Sequence, residues 1–188
     1  MIYTIILTIT YRAAVMSFEK PESVHELLNF RLARLHASSG ALVIRLCEGR
    51  YGITRREWRL IAILAVQGAL SPSALAEQAH IDRARTSRVI TLLCAKKLTL
   101  RRPVPGDHRR AEVNLTAEGR RLYDELFPQS AALSARLLQA LTPAQRAELD
   151  RTLDVLTTAA EDLARNYPLD AKADRRHGGS RRMNRKAG

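Results

Sequence analysis

Cysteine, aromatic and acidic side chains are all scarce in this chain, and each shortage narrows what it can be. The two cysteines, Cys47 and Cys94, are too few for a disulfide scaffold and have no metal-ligand spacing. A reducing cytosol is therefore expected. Aromatics make up 5% of residues against 46% hydrophobics overall. That balance suits a helical protein built on periodic Leu and Ala rather than a β-sandwich. No apolar run approaches the roughly 20 residues that span a bilayer. The apolar start, Met1 to Thr10, also lacks the charged opening and cleavage site of a signal peptide. Phosphate-cradling glycine loops, metal motifs and a nucleophile elbow are missing as well. Neither enzymatic activity nor a cofactor or metal is expected.

Basic residues are plentiful: 31 Lys and Arg against 19 Asp and Glu, a net charge of +12. Between Ile81 and Glu112 nine basic residues face three acidic ones, and after Pro168 seven face two. The rest of the chain is close to neutral. Phosphates reward such clusters through counterion release, so a polyanionic partner is predicted. Charge alone does not separate nucleic acid from an anionic membrane.

Helix-start signals recur along the chain. Ser23 with Glu26 reads as a capping box opening a helix marked by Val24, Leu27, Leu28, Leu32 and Leu35, resuming at Leu42, Val43 and Leu46. Gly49 and Gly52 are expected to end it. Thr54 with Glu57 opens a second helix carrying Trp58, Ile61 and Leu64, closed by Gly68. Ser71-Pro72 starts a short third helix, and Asp82 caps a fourth. Alternation then takes over: Leu98, Leu100, Val104, Val113 and Leu115 fit two strands around a Pro105-Gly106-Asp107 turn. Thr116 restarts helix, which Pro128 is expected to kink or interrupt. Thr142-Pro143-Ala144-Gln145 opens a last helix striped by Leu149, Leu153, Leu156 and Leu163. The fold class expected is mainly α with a small β-hairpin wing, a winged helix-turn-helix between long helices. Residues 1–20 are read as an N-terminal extension, unpacked or arising from an early start site, since Met16 opens a more ordinary beginning. Residues 168–188 read as a disordered basic tail.

Two segments carry the functional signal. From Ser71 to Ala95 the pattern is a short helix, a tight connection and a longer helix, whose N-terminal side chains fit a major groove. There the sequence runs Arg83-Ala84-Arg85-Thr86-Ser87-Arg88. Arginine can pair with two guanine acceptors, while Thr and Ser can bond bases or phosphates. Not all of Arg85, Thr86, Ser87 and Arg88 can face DNA on one helix. Asp82 reads better as a cap than as a base contact. The hairpin places Arg109 and Arg110 at its tip, suited to the negative potential of a narrow minor groove. Asp107 is expected to bridge to Arg109 and set its direction.

The Asp107-x-Arg109-Arg110 tip followed by Leu115-Thr116-x-x-Gly119 resembles the MarR family of transcription regulators. The resemblance runs from about Leu28 to Leu163, and includes Leu32-Ala33-Arg34-Leu35 and Ile53-Thr54 with Trp58. Lys97 departs from it, standing where the family usually has glycine after the recognition helix. The resemblance implies a homodimer, with residues 21–52 and 117–167 as dimerisation region and 53–116 as DNA-binding domain. It implies a repressor on a pseudo-palindromic operator of double-stranded DNA in the bacterial cytosol, associated with the nucleoid. Release is expected from a small-molecule effector, an aromatic or phenolic acid, with no membrane involved. DNA contacts are expected from Ser73, Arg83, Arg85, Thr86, Ser87, Arg88, Asp107, Arg109 and Arg110. Effector contacts are expected from Arg34, His36, Ser39 and Trp58. Both cysteines read as small buried hydrophobes rather than oxidant sensors. The competing reading is an architectural DNA-binding protein without an effector, coating DNA with its basic tail.

Overall fold

The computed structural model describes residues 18–104 and 107–168; for residues 104 and 107–110 it describes backbone alone. The expectations for residues 1–17 and for the basic tail lie outside the described residues. Six helices and one hairpin follow in the order α1 (Leu28–Tyr51), α2 (Arg55–Gln67), α3 (Pro72–Gln78), α4 (Arg83–Ala95), β1 (Thr99–Val104), β2 (Asp107–Leu115), α5 (Ala117–Leu138) and α6 (Pro143–Asn166). The chain divides into two compact units, before and after the Leu137–Leu138 link.

Local chemistry sets most helix ends. Thr54 and Glu57 form a reciprocal capping box on α2, with Thr54 N donating to Glu57 Oε2 at 2.6 Å and Glu57 N to Thr54 Oγ1 at 3.2 Å. Ser71 Oγ accepts from Ala74 N, and Asp82 Oδ1 from Arg85 N at 2.9 Å. The expected start of α1 at Ser23 is corrected. Ser23 Oγ bonds the Glu26 carboxylate instead of a helix N–H, closing one 3-10 turn over Val24–Glu26. Extended backbone at Leu27 (ψ 134°) then delays α1 to Leu28. At its other end α1 runs through Gly49 and stops at Gly52, whose φ of 62° is left-handed.

Lys97 is left-handed too, with φ 60°. It completes a Schellman closure of α4, with Lys97 N bonded to Cys94 O and Leu98 N to Leu93 O at 3.0 Å. Burial of Leu98 on the far side of that turn offsets the strain a lysine carries there. The Leu-Thr-x-x-Gly pattern then has a direct physical reason. Thr116 Oγ1 donates to Lys97 O at 2.7 Å and accepts Gly119 N at 3.0 Å, pinning the start of α5 to the end of α4. Gly119 lies so close to Leu98 O that any Cβ would collide with it.

The hairpin is antiparallel, from Thr99↔Leu115 to Pro103↔Ala111, with a register irregularity at Pro103/Val104. Leu70, between α2 and α3, bridges Val113 through both backbone bonds at 3.0 and 2.8 Å. The sequence pattern had not marked this third edge. Pro128 does not interrupt α5, which is continuous from Ala117 to Leu138. Gln129 Nε2 donates to Glu125 O at 2.8 Å, a side-chain bond beside the one proline cannot make. One apolar core joins Cys47, Ile53, Leu60, Ile61, Leu64, Leu75, Ile90, Leu93, Leu98, Val113 and Leu126. In its own unit, α6 has a complete Thr142/Gln145 capping box yet buries no residue.

Candidate nucleic-acid interface and ligand cavity

α4 carries two faces. Thr86, Val89, Ile90 and Leu93 point into the core, a stripe of three- and four-residue steps. Arg83, Ala84, Ser87 and Arg88 are exposed on the other side. The expectation that Thr86 reaches DNA is therefore corrected: it has no exposed surface. Its position three residues before Val89 and seven before Leu93 turns it inward with them. Arg85 is exposed but leans back on its own cap, pairing with Asp82 at 3.2 Å. Arg83 and Arg88 have no hydrogen bond or ion pair to any described residue. Ser73 is exposed on α3, its hydroxyl 3.1 Å from that of Ser71. The side chains of Asp107, Arg109 and Arg110 fall outside the described residues, so the expected Asp107–Arg109 bridge does too.

α4 is anchored by charges that sequence inspection did not single out. Glu57, beyond capping α2, is 1% exposed and pairs with Lys96 Nζ at 2.8 Å. Lys96 Nζ also donates to Gly52 O at 2.8 Å, so one ammonium ties the ends of α1 and α4 to the start of α2. The buried carboxylate would be costly without it. Arg59 of α2 donates to Ala79 O at 3.0 Å, holding the turn between α3 and α4. These pairs join positions 39 and 20 residues apart, and no local motif announces them.

A cavity of about 1020 Å³ opens between α1, α2 and α5. His36, Ser39 and Trp58, three of the four residues expected to meet an effector, line it. Arg34 does not: it is exposed and two residues from His36, which turns it to the opposite side of α1. Arg55 and Arg59 of α2 supply the wall's cations instead, joined by Arg136 of α5. Trp58 stacks on Tyr123 with centroids 5.7 Å apart, and Tyr123 on Phe127 at 5.3 Å, giving one side of the cavity a rigid aromatic backing. Ser130 Oγ is buried in this wall with no hydrogen-bond partner among the described residues. Cys47 is fully buried, and burial, reinforced by Glu48, pushes its thiol up while the charge of Arg55 opposes the shift. A protonated thiol in an apolar core fits the packing role expected of it. Cys94, partly buried, sits 3.4 Å from Thr99 Oγ1. Among the described residues no cluster of three or more His, Cys, Asp or Glu is placed to hold a metal. No described helix is long and apolar enough to cross a membrane.

The short α3, the Asp82-capped α4, a hairpin wing packed behind it and a shared core define a winged helix-turn-helix protein. The sequence profile of the MarR family matches residues 51–110. The HTH-type transcriptional regulator FarR of Neisseria gonorrhoeae is 39% identical over 74 residues, covering 39% of this chain and 51% of that regulator. This chain thus spans about half the length of that relative. The crystal structure of a MarR family transcriptional regulator from Silicibacter pomeroyi DSS-3 is 30% identical over 69% of this chain and 95% of that one, with a TM-score of 0.58. NadR, solved in complex with 4-hydroxyphenylacetate, is 28% identical over 73% and 96% of the two chains, with a TM-score of 0.61. The chain belongs to the MarR family of transcription regulators.

Proposed function

We propose that this protein is a homodimeric repressor that holds a pseudo-palindromic operator and lets it go when a small aromatic or phenolic acid fills the cavity. The observation that carries the reading is the bare basic face of α4. Arg83 and Arg88 flank Ser87 beside an Asp82-capped helix start, with no partner among the described residues to neutralise them. Charges left unpaired on a groove-sized helix are available to phosphates and base edges. Ser73 on α3 would extend this surface, and the order of residues along the chain sets Asp107, Arg109 and Arg110 next to the hairpin turn, where the family resemblance expects further DNA contacts.

The flanking helices support a second copy. Leu149, Leu153, Leu156 and Leu163 on α6, and Val24, Leu27, Leu32 and Leu35 around the start of α1, are large apolar side chains at least a third exposed. Two copies would cover them and space two reading helices for successive major grooves. The acid effector is supported by the cationic, aromatic-backed cavity and by the ligand of NadR. α2 offers a route from cavity to DNA, because its Glu57 and Arg59 hold the end of α4 and the turn before it. A ligand shifts DNA affinity only if it binds the released arrangement better, and a wall on that same helix gives it the means. Such a regulator would work on the nucleoid in the bacterial cytosol.

Footprinting on the promoter region of its own gene, with and without aromatic acids, tests the reading. One protected palindrome of two half-sites, relieved by an acid, is expected. Equal affinity for every sequence, unchanged by any acid, would replace the regulator with an architectural DNA-binding protein.

A further inference from the structure

Gly40 is buried in the middle of α1, a position where glycine weakens a helix. Something must need the space its missing side chain leaves. That something is Arg55: a Cβ on Gly40 would lie 2.5 Å from Arg55 Nη1. The guanidinium therefore occupies the notch in α1 while lining the cavity from the first turn of α2.

Its neighbours show how unusual its situation is. Arg59 is committed to Ala79 O, Arg120 to Ala65 O and Lys96 to Glu57. Of the three guanidinium groups on the cavity wall, Arg59 is thus spent and Arg136 is exposed, whereas Arg55 is partly buried with no hydrogen bond or ion pair to a described residue. Around it Leu42, Val43, Ile63 and Leu133 are interrupted by Ser39, by the exposed Arg59 and Arg136, and by the buried hydroxyl of Ser130, which has no hydrogen-bond partner among the described residues. A half-desolvated guanidinium in such a place rewards an anion strongly, and its planar fork matches a carboxylate in particular. Three residues on, Trp58 lies on the same side of α2 for an aromatic ring.

We propose that Arg55, seated in the notch left by Gly40, is the anion anchor of the cavity, and that it restricts effectors to aromatic compounds with a free carboxylate. The inference rests on the reading of the cavity as the effector site. Gly40 is a positioning residue: it touches no effector, but aims the group that does. Because the atom crowding Gly40 is the far end of a flexible side chain, Gly40→Ala displaces the guanidinium without breaking the fold.

Calorimetric titration of the full-length protein provides the test, with 4-hydroxyphenylacetate, 3,4-dihydroxyphenylacetate, salicylate and benzoate as probes, each beside its primary amide. At least one acid is expected to bind wild type, with its amide at least about tenfold weaker. Arg55→Gln should lose roughly ten- to a hundredfold in affinity for that acid, the range of a charge-assisted bond. Gly40→Ala should lose a comparable factor while melting no lower than wild type. Gly40→Ala with Arg55→Gln should lose no more than Arg55→Gln alone, because both act through one group. An amide that binds as well as its acid, or an unweakened Gly40→Ala or Arg55→Gln, would overturn the anchor and leave the effector site standing. If no acid binds wild type, the effector reading falls and the anchor with it. Should Arg55→Gln fail to fold, Gly40→Ala decides alone.

Discussion

Between Ile53 and Val113 the chain buries Leu60, Ile61, Leu64, Leu75, Ile90 and Leu93 against one another, while α6 buries nothing over its 24 residues. Both regions have well-formed helix caps and apolar stripes at helical spacing. What separates them is where the complementary surface lies. The winged-helix segment finds it within the chain, from α2, α3, α4 and the hairpin. α6 leaves Leu149, Leu153, Leu156 and Leu163 open, and single apolar side chains are ordinary on a surface while a stripe of four is not. Amphipathicity therefore says that a helix has a buried side, not whose surface buries it.

Breaking α6's stripe should have the largest effect. Leu153→Asp with Leu156→Asp is expected to convert a dimer to monomers by light scattering. Operator affinity should fall by about a hundredfold or more, as two linked half-sites become two separate events. A dimer that survives both substitutions would move the interface elsewhere.

Removing a tether inside the winged-helix segment should cost less and cost it differently. Lys96→Met strands the Glu57 carboxylate, and with Lys96 itself about a third exposed the expected loss is about 2 kcal/mol. Urea unfolding measures it, and the dimer should persist below the transition. Unchanged stability would mean that water already satisfies Glu57.

The smallest change should come from the exposed face of α4. Arg88→Ala should weaken operator binding by about tenfold without altering melting temperature or dimerisation. Equal affinity in a gel-shift titration would remove Arg88 from the reading surface.

Much of this was legible in the sequence because it is local. Thr54, Ser71, Asp82 and Thr142 each cap a helix as read, since a cap is decided within four residues. Ser23 failed because its hydroxyl found the Glu26 carboxylate before any helix N–H. Pro128 was read as a kink or an interruption, and of the two α5 excludes the interruption by running through it unbroken. Thr86 was misread by residue type, although its spacing to Val89 and Leu93 already placed it in the core stripe. His36, Ser39 and Trp58 fell on the cavity wall, whereas Arg34 pointed away. The pairings of Glu57 with Lys96, Arg59 with Ala79 and Gly40 with Arg55 were invisible, being contacts between distant segments with no periodic trace.

The hairpin and the capped helix before it were thus determined by sequence alone, because turns, caps and alternation act over a few residues. So was membership of the MarR family, whose signature, Thr116 and Gly119 included, is a run of neighbouring positions. The tertiary structure alone decided which side of α4 is free, which cations are already spent on holding the fold, and which of those left facing a cavity is half-buried there. Those outcomes depend on what lies across a gap of a few ångströms, and that is set by the packing of whole helices rather than by the order of residues along any one of them.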